Sequence, residues 1–189
     1  GQGNEAVPRR IEALDRVMAI QVEAGYRHSM ALSSDGDVFT WGNGGEGQLG
    51  HGNREDQLVP MKMEGLGGVT DIAAGDLHSL AVVGEEGAVY AWGRNYRGQL
   101  GLGDHRGGTD RLVPTVVPGV SGVVAVAAGR IHSLALGRDG TVMTCGRNAF
   151  GKLGLGDTAD RDTFTVVPGL KDVVDIDGGE FHSIAVTRE

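Results

Sequence analysis

Histidine–serine pairs recur in this chain in a setting that could support nucleophilic chemistry. Residues 74–82 read AGDLHSLAV, and an imidazole beside a hydroxyl is the minimal form of an activated serine site. A catalytic site is needed once per domain, whereas a phrase that returns about every 50 residues marks a structural unit. No acidic residue accompanies the pairs at a fixed offset, so we interpret them as structural. The repeated residues are Gly25 and His28, Gly75 and His78, Gly129 and His132, and Gly179 and His182.

The other residues that could react or bind a ligand lack the neighbours that such chemistry needs. A glycine-rich loop cradles phosphate where it opens a helix, but GNGGEGQLGHG leads to a Val-Pro pair and a further strand, and no Gly-Lys-Ser/Thr follows. His51 and His105 lie in or after such loops without a Cys or His at metal-ligand spacing. Cys145 stands where two other repeats have Trp, which predicts a buried packing residue. We therefore expect no catalytic residue, no cofactor, no metal and no enzymatic activity.

The composition favours an intracellular globular protein without nucleic-acid partners. The 189 residues carry a formal net charge of −8, and no Lys/Arg cluster of the kind that follows phosphates is present. No run approaches about 18 consecutive apolar residues, so we expect no membrane span. The single cysteine excludes an intramolecular disulfide and fits a reducing compartment, cytoplasmic or nuclear. The 34 glycines indicate many tight turns between short strands.

Further landmarks keep the same period and divide each repeat into about four short strands. Trp41-Gly42 returns as Trp92-Gly93 and then as Cys-Gly at 145–146. GQLGHGN returns as GQLGLGD and GKLGLGD, and each phrase is followed by a Val-Pro pair, at 59–60, 113–114 and 167–168. Asp-Gly or Glu-Gly pairs at 35–36, 86–87 and 139–140 predict hairpin turns with positive φ, and residues 12–16 could form one helical turn. Four strands per unit predict an all-β fold, a β-propeller of four-stranded antiparallel blades.

The fixed order of these landmarks resembles the repeat of the regulator of chromosome condensation family. The resemblance covers nearly the whole chain and implies a seven-bladed β-propeller, of which this chain holds about three and a half blades. We place complete blades at about 17–64, 69–117 and 123–168, and a partial blade at 173–187. The outer strand of a preceding blade is expected near residues 6–8. We expect missing sequence, a second chain or a large complex to cover both ends.

Within that family, the phrase Gly-x-x-His-Ser has an expected structural role. We expect its glycine to let the chain turn between the innermost strand of a blade and the next strand. The histidine and serine would then satisfy backbone groups that the turn leaves unpaired. On this interpretation the pair stabilises a turn and is not a nucleophile with its base.

The resemblance also implies what kind of protein this is. Members of the family include an exchange factor for the small GTPase Ran, a plant UV-B photoreceptor, and repeat domains in ubiquitin ligases and scaffolds. We interpret the chain as a protein–protein interaction scaffold within a larger chain or multi-protein assembly; the alternative is a regulator or guanine-nucleotide exchange factor of a small GTPase. Light sensing is not expected, because Tyr26 replaces the Trp of the photoreceptor's Gly-Trp-Arg-His phrase.

Partners should meet the variable loops, because the strands of a propeller build its core and leave the loops free. The alternative for any charged loop residue is that it is only solvated. The candidate partner-binding residues are Arg54, Glu55, Asp56, Asp104, His105, Arg106, Asp110, Arg111, Asp157, Asp160, Arg161 and Asp162.

Overall fold

The computed structural model of the protein describes residues 7–104 and 109–188, and in them it forms antiparallel sheets arranged as propeller blades. Three sheets have four strands each and a fourth has two, so the predicted all-β propeller is confirmed. A single turn of 3-10 helix lies at Glu12–Leu14, within the residues for which one helical turn was expected. The turn at Ala149–Gly151 contains left-handed φ at Phe150 and Gly151 and is not a regular helix. Blade 1 contains β1 (Ala19–Ala24), β2 (His28–Ser33), β3 (Val38–Gly42) and β4 (Gln57–Lys62). Blade 2 contains β5 (Val69–Ala74), β6 (His78–Val83), β7 (Ala88–Gly93) and β8 (Arg111–Val116). Blade 3 contains β9 (Val123–Ala128), β10 (His132–Gly137), β11 (Val142–Gly146) and β12 (Arg161–Val166), and the half-blade contains β13 (Val173–Gly178) and β14 (Ser183–Thr187).

Strands follow one another across each sheet in chain order, so every blade is a simple meander. The first strand of each blade contacts the first strand of the next, which places β1, β5, β9 and β13 around a central channel. Because successive strands run in opposite directions, the connections between them lie on two opposite faces of the propeller. The loop face carries the turns after each first strand and the long loops after each third strand, of which the structure describes residues 43–56, 94–104, 109–110 and 147–160. The hairpin face carries the turns after each second strand and the segments that join blades.

Each hydrophobic core lies at a seam, which we define as the contact surface between two neighbouring blades. A single sheet exposes two faces and can bury them only against other sheets. The core of the first seam joins Met30, Leu32 and Met63 of blade 1 to Ile72 and Trp92 of blade 2. Equivalent clusters join blade 2 to blade 3 and blade 3 to the half-blade. The seams therefore carry the hydrophobic stabilisation of the fold.

The Val-Pro landmark at 167–168 was aligned wrongly from the sequence. Val59-Pro60 and Val113-Pro114 lie inside the outer strands β4 and β8. Strand pairing sets Met143 opposite Val166, as it sets Tyr90 opposite Val116, so the residues equivalent to Val113-Pro114 are Thr163-Phe164. Pro168 follows β12 and corresponds to Pro118, because these repeats carry proline at two places. The predicted outer strand near residues 6–8 also differs: Val7 and Pro8 lie outside every strand, and residue 6 is outside the described residues.

The hairpin turns confirm the predicted positions, but only their glycines adopt positive φ. Gly36, Gly87 and Gly140 have φ of 79°, 61° and 80°, whereas the acidic residue before each does not enter the left-handed region. Each glycine carbonyl also accepts a hydrogen bond from the first strand of the next blade, such as the Val69 N–H to Gly36 O at 3.1 Å. The hairpin glycines therefore close the seams at this face.

The glycine of the Gly-x-x-His-Ser phrase has a different role from the one expected. Gly25, Gly75 and Gly129 do not adopt positive φ, so the turn itself does not require glycine. A Cβ at Gly75 would lie 2.2 Å from Cε1 of His78 and 2.7 Å from the carbonyl oxygen of Gly129 in the next blade. Glycine is needed because the histidine ring and the neighbouring blade leave no room for a side chain.

This close approach predicts a large difference between two glycine-to-alanine substitutions. Gly75→Ala should lower the free energy of unfolding by about 2–3 kcal/mol, the cost of forcing atoms into a packed interior. Gly67→Ala is the matched control, because no atom lies within 4 Å of its Cβ position and its φ is not positive. The control should change stability by less than about 1 kcal/mol. Urea unfolding measures both, and equal losses would contradict the packing explanation.

Candidate functional site

The histidine–serine pairs join neighbouring blades and do not pair within the phrase. Nε2 of His28 lies 2.9 Å from Oγ of Ser79, one blade further on, and His78 and Ser133 repeat the contact at 2.9 Å. His132 and Ser183 form the third copy. These contacts give each histidine a structural partner, as the structural interpretation expects. The partner differs from the expected one, because it is a serine across the seam and not an unpaired backbone group of the same turn.

Each serine hydroxyl also donates a hydrogen bond to a backbone carbonyl of the preceding blade. Ser79 Oγ donates to Gln48 O at 2.9 Å, Ser133 Oγ to Gln99 O at 2.6 Å, and Ser183 Oγ to Lys152 O at 2.8 Å. A carbonyl oxygen only accepts, so the single hydroxyl proton points at it. The serine oxygen must then accept the Nε2–H of the histidine. This direction is opposite to that of an activated serine, which donates its proton to the imidazole.

The relay fixes the histidines in their neutral form. Burial lowers the pKa of His28 to about 4, and burial, with His132 and His28 nearby, lowers that of His78 to about 3. For His132, burial first and then the Lys152 charge lower the pKa to about 4. Nδ1 of each ring is buried and has no hydrogen-bond partner among the described residues, so a proton there would be unsatisfied.

The Trp-Gly position adds a second donor to the same carbonyls. Nε1–H of Trp92 donates to Gln48 O at 2.9 Å, so this oxygen joins Trp92 and Ser79 of blade 2 to blade 1. Cys145 takes the equivalent place at the next seam, where its Sγ lies 3.5 Å from Gln99 O. Cys145 is fully buried, as its position in the repeat suggested, and burial raises the pKa of its thiol.

Phe164 compensates for the small side chain of Cys145. A Cβ built on Gly101 would lie 2.5 Å from the Phe164 ring and 3.2 Å from Cys145 Sγ. At the preceding seam, the same construction on Gly50 meets Met63 and the indole of Trp92. The phenyl ring therefore occupies part of the volume that an indole fills elsewhere, which explains why the Val-Pro pair of the outer strand is Thr-Phe in blade 3.

The loop face surrounds a shallow bowl of about 510 Å³ at the end of the central channel. Its rim is formed by the residue that follows the phrase glycine in each repeat: Tyr26, Asp76, Arg130 and Glu180. Arg130 makes ion pairs with Asp76, at 3.1 Å, and with Glu180. Partial burial is the largest cause acting on Asp76 and raises its pKa, although the Arg130 charge opposes the shift.

Exposed aromatic rings lie on this face, and three of them have an arginine guanidinium over the ring. Tyr26 is 67% exposed with the guanidinium of Arg27 at 5.3 Å, and Tyr96 is 42% exposed with that of Arg94 at 4.5 Å. The rings of Phe150 and Phe181 meet edge to face with centroids 6.4 Å apart. Sequence reasoning missed this set because it gave weight to charged loop residues; the phrases GYRH, NYRGQ, NAFGK and GEFH carried the signal.

The exposure of Phe150 is explained by a hydrogen bond that the other two long loops form and this loop does not. In the first two loops, a glutamine Oε1 accepts a backbone N–H, from Glu46 to Gln48 at 2.8 Å and from Arg97 to Gln99 at 3.0 Å. The third loop has Lys152 instead of glutamine, and an ammonium group cannot accept. Phe150, the residue equivalent to Glu46 and Arg97, adopts a φ of 70°. This conformation is uncommon for a bulky side chain, and it leaves the ring 84% exposed.

Most of the candidate partner-binding residues have partners within the loops. Asp56, Asp110 and Asp160 accept backbone N–H groups where the loops begin. Asp104 and Asp157 form ion pairs with Arg111 and Arg161, the first residues of the strands that follow these loops. Arg54 reaches across the seam to Asp110, at 3.2 Å. Glu55 is exposed, and Asp162 is partly buried and has an interaction of its own. His105 and Arg106 lie outside the described residues. Partner binding by these residues stays a prediction.

Metal and membrane features are not found in the part of the chain that the structure describes. No group of three or more metal-ligating side chains occurs within residues 7–104 and 109–188. In the same residues, no helix is both long and apolar enough to cross a membrane. The Thr40 hydroxyl donates its proton to Leu49 O, so Nε2–H of His51 donates to Thr40 Oγ1 at 2.9 Å, and this loop histidine has a structural partner.

Comparison with known proteins places the repeat in a family. The model of the RCC1-like domain matches residues 1–189. The chain belongs to this family. The ultraviolet-B receptor UVR8 of Arabidopsis thaliana is 43% identical over 167 residues, which cover 85% of this chain and 37% of the receptor. The probable E3 ubiquitin-protein ligase HERC4 of Mus musculus is 39% identical over 84% of this chain and 15% of the ligase.

Solved structures of RCC1 proteins have the same fold. Yeast RCC1 (Prp20), solved with Kap60 bound, superposes with a TM-score of 0.79 at 28% identity and covers 96% of this chain. Prp20p from Saccharomyces cerevisiae, described with its binding to Gsp1p and histones, gives a TM-score of 0.77 at 24% identity over 89% of this chain. In each case this chain spans 43% of the solved chain, so it corresponds to less than half of such a propeller.

The depressed histidine pKa values predict a loss of stability in mild acid. An unfolded histidine titrates near pH 6.5, whereas His28, His78 and His132 stay neutral in the fold down to about pH 4 or 3. The unfolded state therefore binds more protons between these limits, and stability falls as pH decreases through that window. His132→Gln retains an N–H donor and cannot titrate. When the pH is lowered from 7.5 to 4.5, the free energy of unfolding of the variant should fall by about 2 kcal/mol less than that of the unchanged protein. Urea unfolding at the two pH values measures both. An equal fall in the free energy of unfolding of the two proteins would contradict the lowered pKa of His132.

Cys145 should be inert in the folded protein. Its thiol is fully buried and its pKa is raised, so the reactive thiolate is scarce and inaccessible. A thiol reagent such as DTNB should label it at least about a hundredfold more slowly in buffer than in denaturing urea. Labelling at comparable rates in the two conditions would show that the seam between blades 2 and 3 opens freely.

Proposed function

We propose that the chain is a protein–protein interaction module that binds partners through its loop face. The observation that carries this proposal is that Tyr26 and Tyr96 are exposed on one face with an arginine guanidinium over each ring, and that Phe150 is exposed on the same face. Aromatic residues and arginine dominate the energetic centres of protein interfaces. The strained and exposed ring of Phe150 supports the same proposal, because backbone strain is retained where it serves a function.

A role without covalent chemistry is part of the proposal. The serine hydroxyls that could act as nucleophiles donate to backbone carbonyls, and the neighbouring imidazoles donate to them. Such a serine cannot give its proton to the histidine, which is the first step of acyl transfer. The buried thiol of Cys145 is similarly unsuited to catalysis. These groups support a scaffold that presents its loops, in a larger chain or a multi-protein assembly.

Regulation of a small GTPase, as an exchange factor, is the second candidate. The observation in its favour is the similarity to yeast RCC1 (Prp20), at 28% identity over 96% of this chain. The related structure of Prp20p was described with its binding to Gsp1p and histones. A nucleotide-release assay on a panel of small GTPases distinguishes this candidate, because only an exchange factor accelerates release at catalytic concentrations.

The interaction proposal is tested by quantitative affinity purification from cells with matched variants. Tyr26→Ala and Tyr96→Ala each remove an exposed ring from the loop face. Glu86→Ala and Lys171→Ala are controls, because both positions are exposed on the hairpin face. Loss of an aromatic at the energetic centre of an interface costs about 2 kcal/mol or more, so recovery of specific partners should fall at least about tenfold with the first pair only.

Two results would contradict the proposal. In the first, the loop-face and hairpin-face variants recover the same partners in the same amounts. In the second, the loop-face variants unfold at lower urea concentrations than the controls, so that lost binding reports lost structure. Rings that are 67% and 42% exposed should contribute little to folding, so unchanged midpoints are expected.

A further inference from the structure

Equivalent positions on the loop face have opposite charges at one seam and like charges at the next. At the seam between blades 1 and 2, Oε1 of Glu46 lies 3.5 Å from Nη1 of Arg94. Glu46 and Arg97 are equivalent, because the backbone N–H of each donates to the glutamine two residues later. Arg94 and Arg147 are equivalent, because the backbone N–H of each donates to the residue before a seam histidine. The seam between blades 2 and 3 therefore has Arg97 and Arg147 where its neighbour has an ion pair.

Neither arginine at this second seam forms a close ion pair. Nη1 of Arg97 lies 3.5 Å from Oδ2 of Asp160, and its side chain is 47% exposed. Oδ1 of the same aspartate already accepts the backbone N–H of Asn148, at 2.8 Å. Arg147 is partly buried, and among the described residues no hydrogen bond or ion pair involves its guanidinium. The two arginines follow third strands of complete four-stranded blades, so their surroundings do not depend on the half-blade.

A third cation lies beside these arginines in the third loop. Lys152 stands where the other two loops have Gln48 and Gln99. Burial is the largest cause that lowers the pKa of its ammonium, and the Arg147 charge lowers it further, while Asp160 opposes the shift. Burying a cation costs free energy, and a like charge nearby adds to that cost. An anion at this seam would relieve the repulsion.

An exposed aromatic ring holds one of the arginines in place. Tyr96 is 42% exposed, and its ring centroid lies 4.5 Å from the guanidinium of Arg94 and 5.7 Å from that of Arg97. Stacking on a ring uses the face of a guanidinium and leaves its N–H donors available. A side chain that is already held loses less conformational entropy when it binds a ligand. Tyr96 therefore prepares Arg97 for an anionic group.

We propose that Arg97 and Arg147 bind the phosphate monoester of a phosphorylated side chain on a partner protein, with Lys152 as a third donor. The inference rests on the proposed function, because the phosphate belongs to a protein that docks on the loop face. A phosphate monoester has three acceptor oxygens and a charge of about −1.5 to −2 at pH 7, which suits three cations. A carboxylate has two oxygens and one charge, so it satisfies fewer of these donors. Arginine pairs bidentately with phosphate oxygens, which makes the contact directional.

An NMR titration of the isotope-labelled 189-residue protein tests the inference. The probe is a short peptide with one phosphoserine between alanines. It should bind in low-salt buffer with a dissociation constant of about 1 mM or lower. In the unchanged protein, the largest shifts should fall on the backbone amide and Nε–H signals of Arg97 and Arg147. The peptide with unmodified serine should not bind, and the peptide with glutamate should bind at least about threefold more weakly.

A charge-reversing substitution separates binding from folding. Arg97→Glu places a carboxylate opposite Arg147 and recreates the ion pair of the neighbouring seam. Affinity for the phosphopeptide should fall at least about tenfold, because one guanidinium is lost and the other is paired. The urea midpoint should stay the same or rise, because an ion pair replaces two like charges. Lys171→Glu, on the exposed hairpin face, is the control with the same change in net charge and should alter the affinity less than about twofold.

Three results would overturn the inference. In the first, the phosphopeptide shows no binding at about 5 mM, or shifts signals of the hairpin face and not those of Arg97 and Arg147. In the second, Arg97→Glu binds the phosphopeptide as tightly as the unchanged protein does. In the third, the glutamate peptide binds as tightly as the phosphopeptide, which would make an acidic segment the occupant.

The phosphate site and the proposed function can fail separately. In the affinity purification, the lysate is compared with and without phosphatase treatment. Partners that Tyr26→Ala loses, but that Arg97→Glu and phosphatase treatment both leave bound, would support the loop face and overturn the phosphate site. Phosphopeptide binding at Arg97 and Arg147, together with unchanged recovery of partners by the Tyr26→Ala and Tyr96→Ala variants, would overturn only the proposed function.

Discussion

The hydrogen-bond relay that crosses each seam is the interaction on which the rest of this structure depends. A histidine of one blade donates to a serine of the next, and that serine donates back to a loop carbonyl of the first blade. Both bonds are buried, where a broken bond leaves a polar group without water to replace its partner. The relay therefore holds neighbouring blades in one relative position, which apolar packing alone, being non-directional, would not specify.

Several features of the sequence follow from this relay. The phrase glycine is required because a Cβ at that position would overlap the imidazole and a carbonyl oxygen of the next blade. The third loop, with Lys152 in place of glutamine, keeps the carbonyl that the relay needs and loses only the side-chain acceptor. The loop face can therefore vary: Phe150 leaves the ordinary backbone conformation without disturbing the seam beneath it. A rigid interior with adaptable loops is the arrangement expected of a binding module.

The repeat allowed the fold to be predicted from the sequence, but it did not indicate which side chains form hydrogen bonds with one another. Glycine turns, Trp-Gly and the alternation of apolar residues identify strands locally, so the four-strand blades and their approximate bounds could be predicted. The partner of His78 is Ser133, 55 positions away, and nothing adjacent to His78 indicates it. The proline at 168 was assigned to the wrong position because Phe164 had replaced the equivalent proline to fill space beside Cys145. The aromatic residues of the loop face became visible as a set only when the turns and long loops of successive repeats came together on one face.

A double-mutant cycle on His78 and Ser133 tests the central claim most directly. His78→Ala alone should lower the free energy of unfolding by about 1–3 kcal/mol, and the pair should show a coupling energy of about 1 kcal/mol or more. The matched control is the cycle on His78 and Ser79, which are neighbours in sequence but belong to different relays. Its coupling should be smaller than about 0.5 kcal/mol. A cycle that instead couples His78 to Ser79 and leaves Ser133 independent would contradict the relay across the seam.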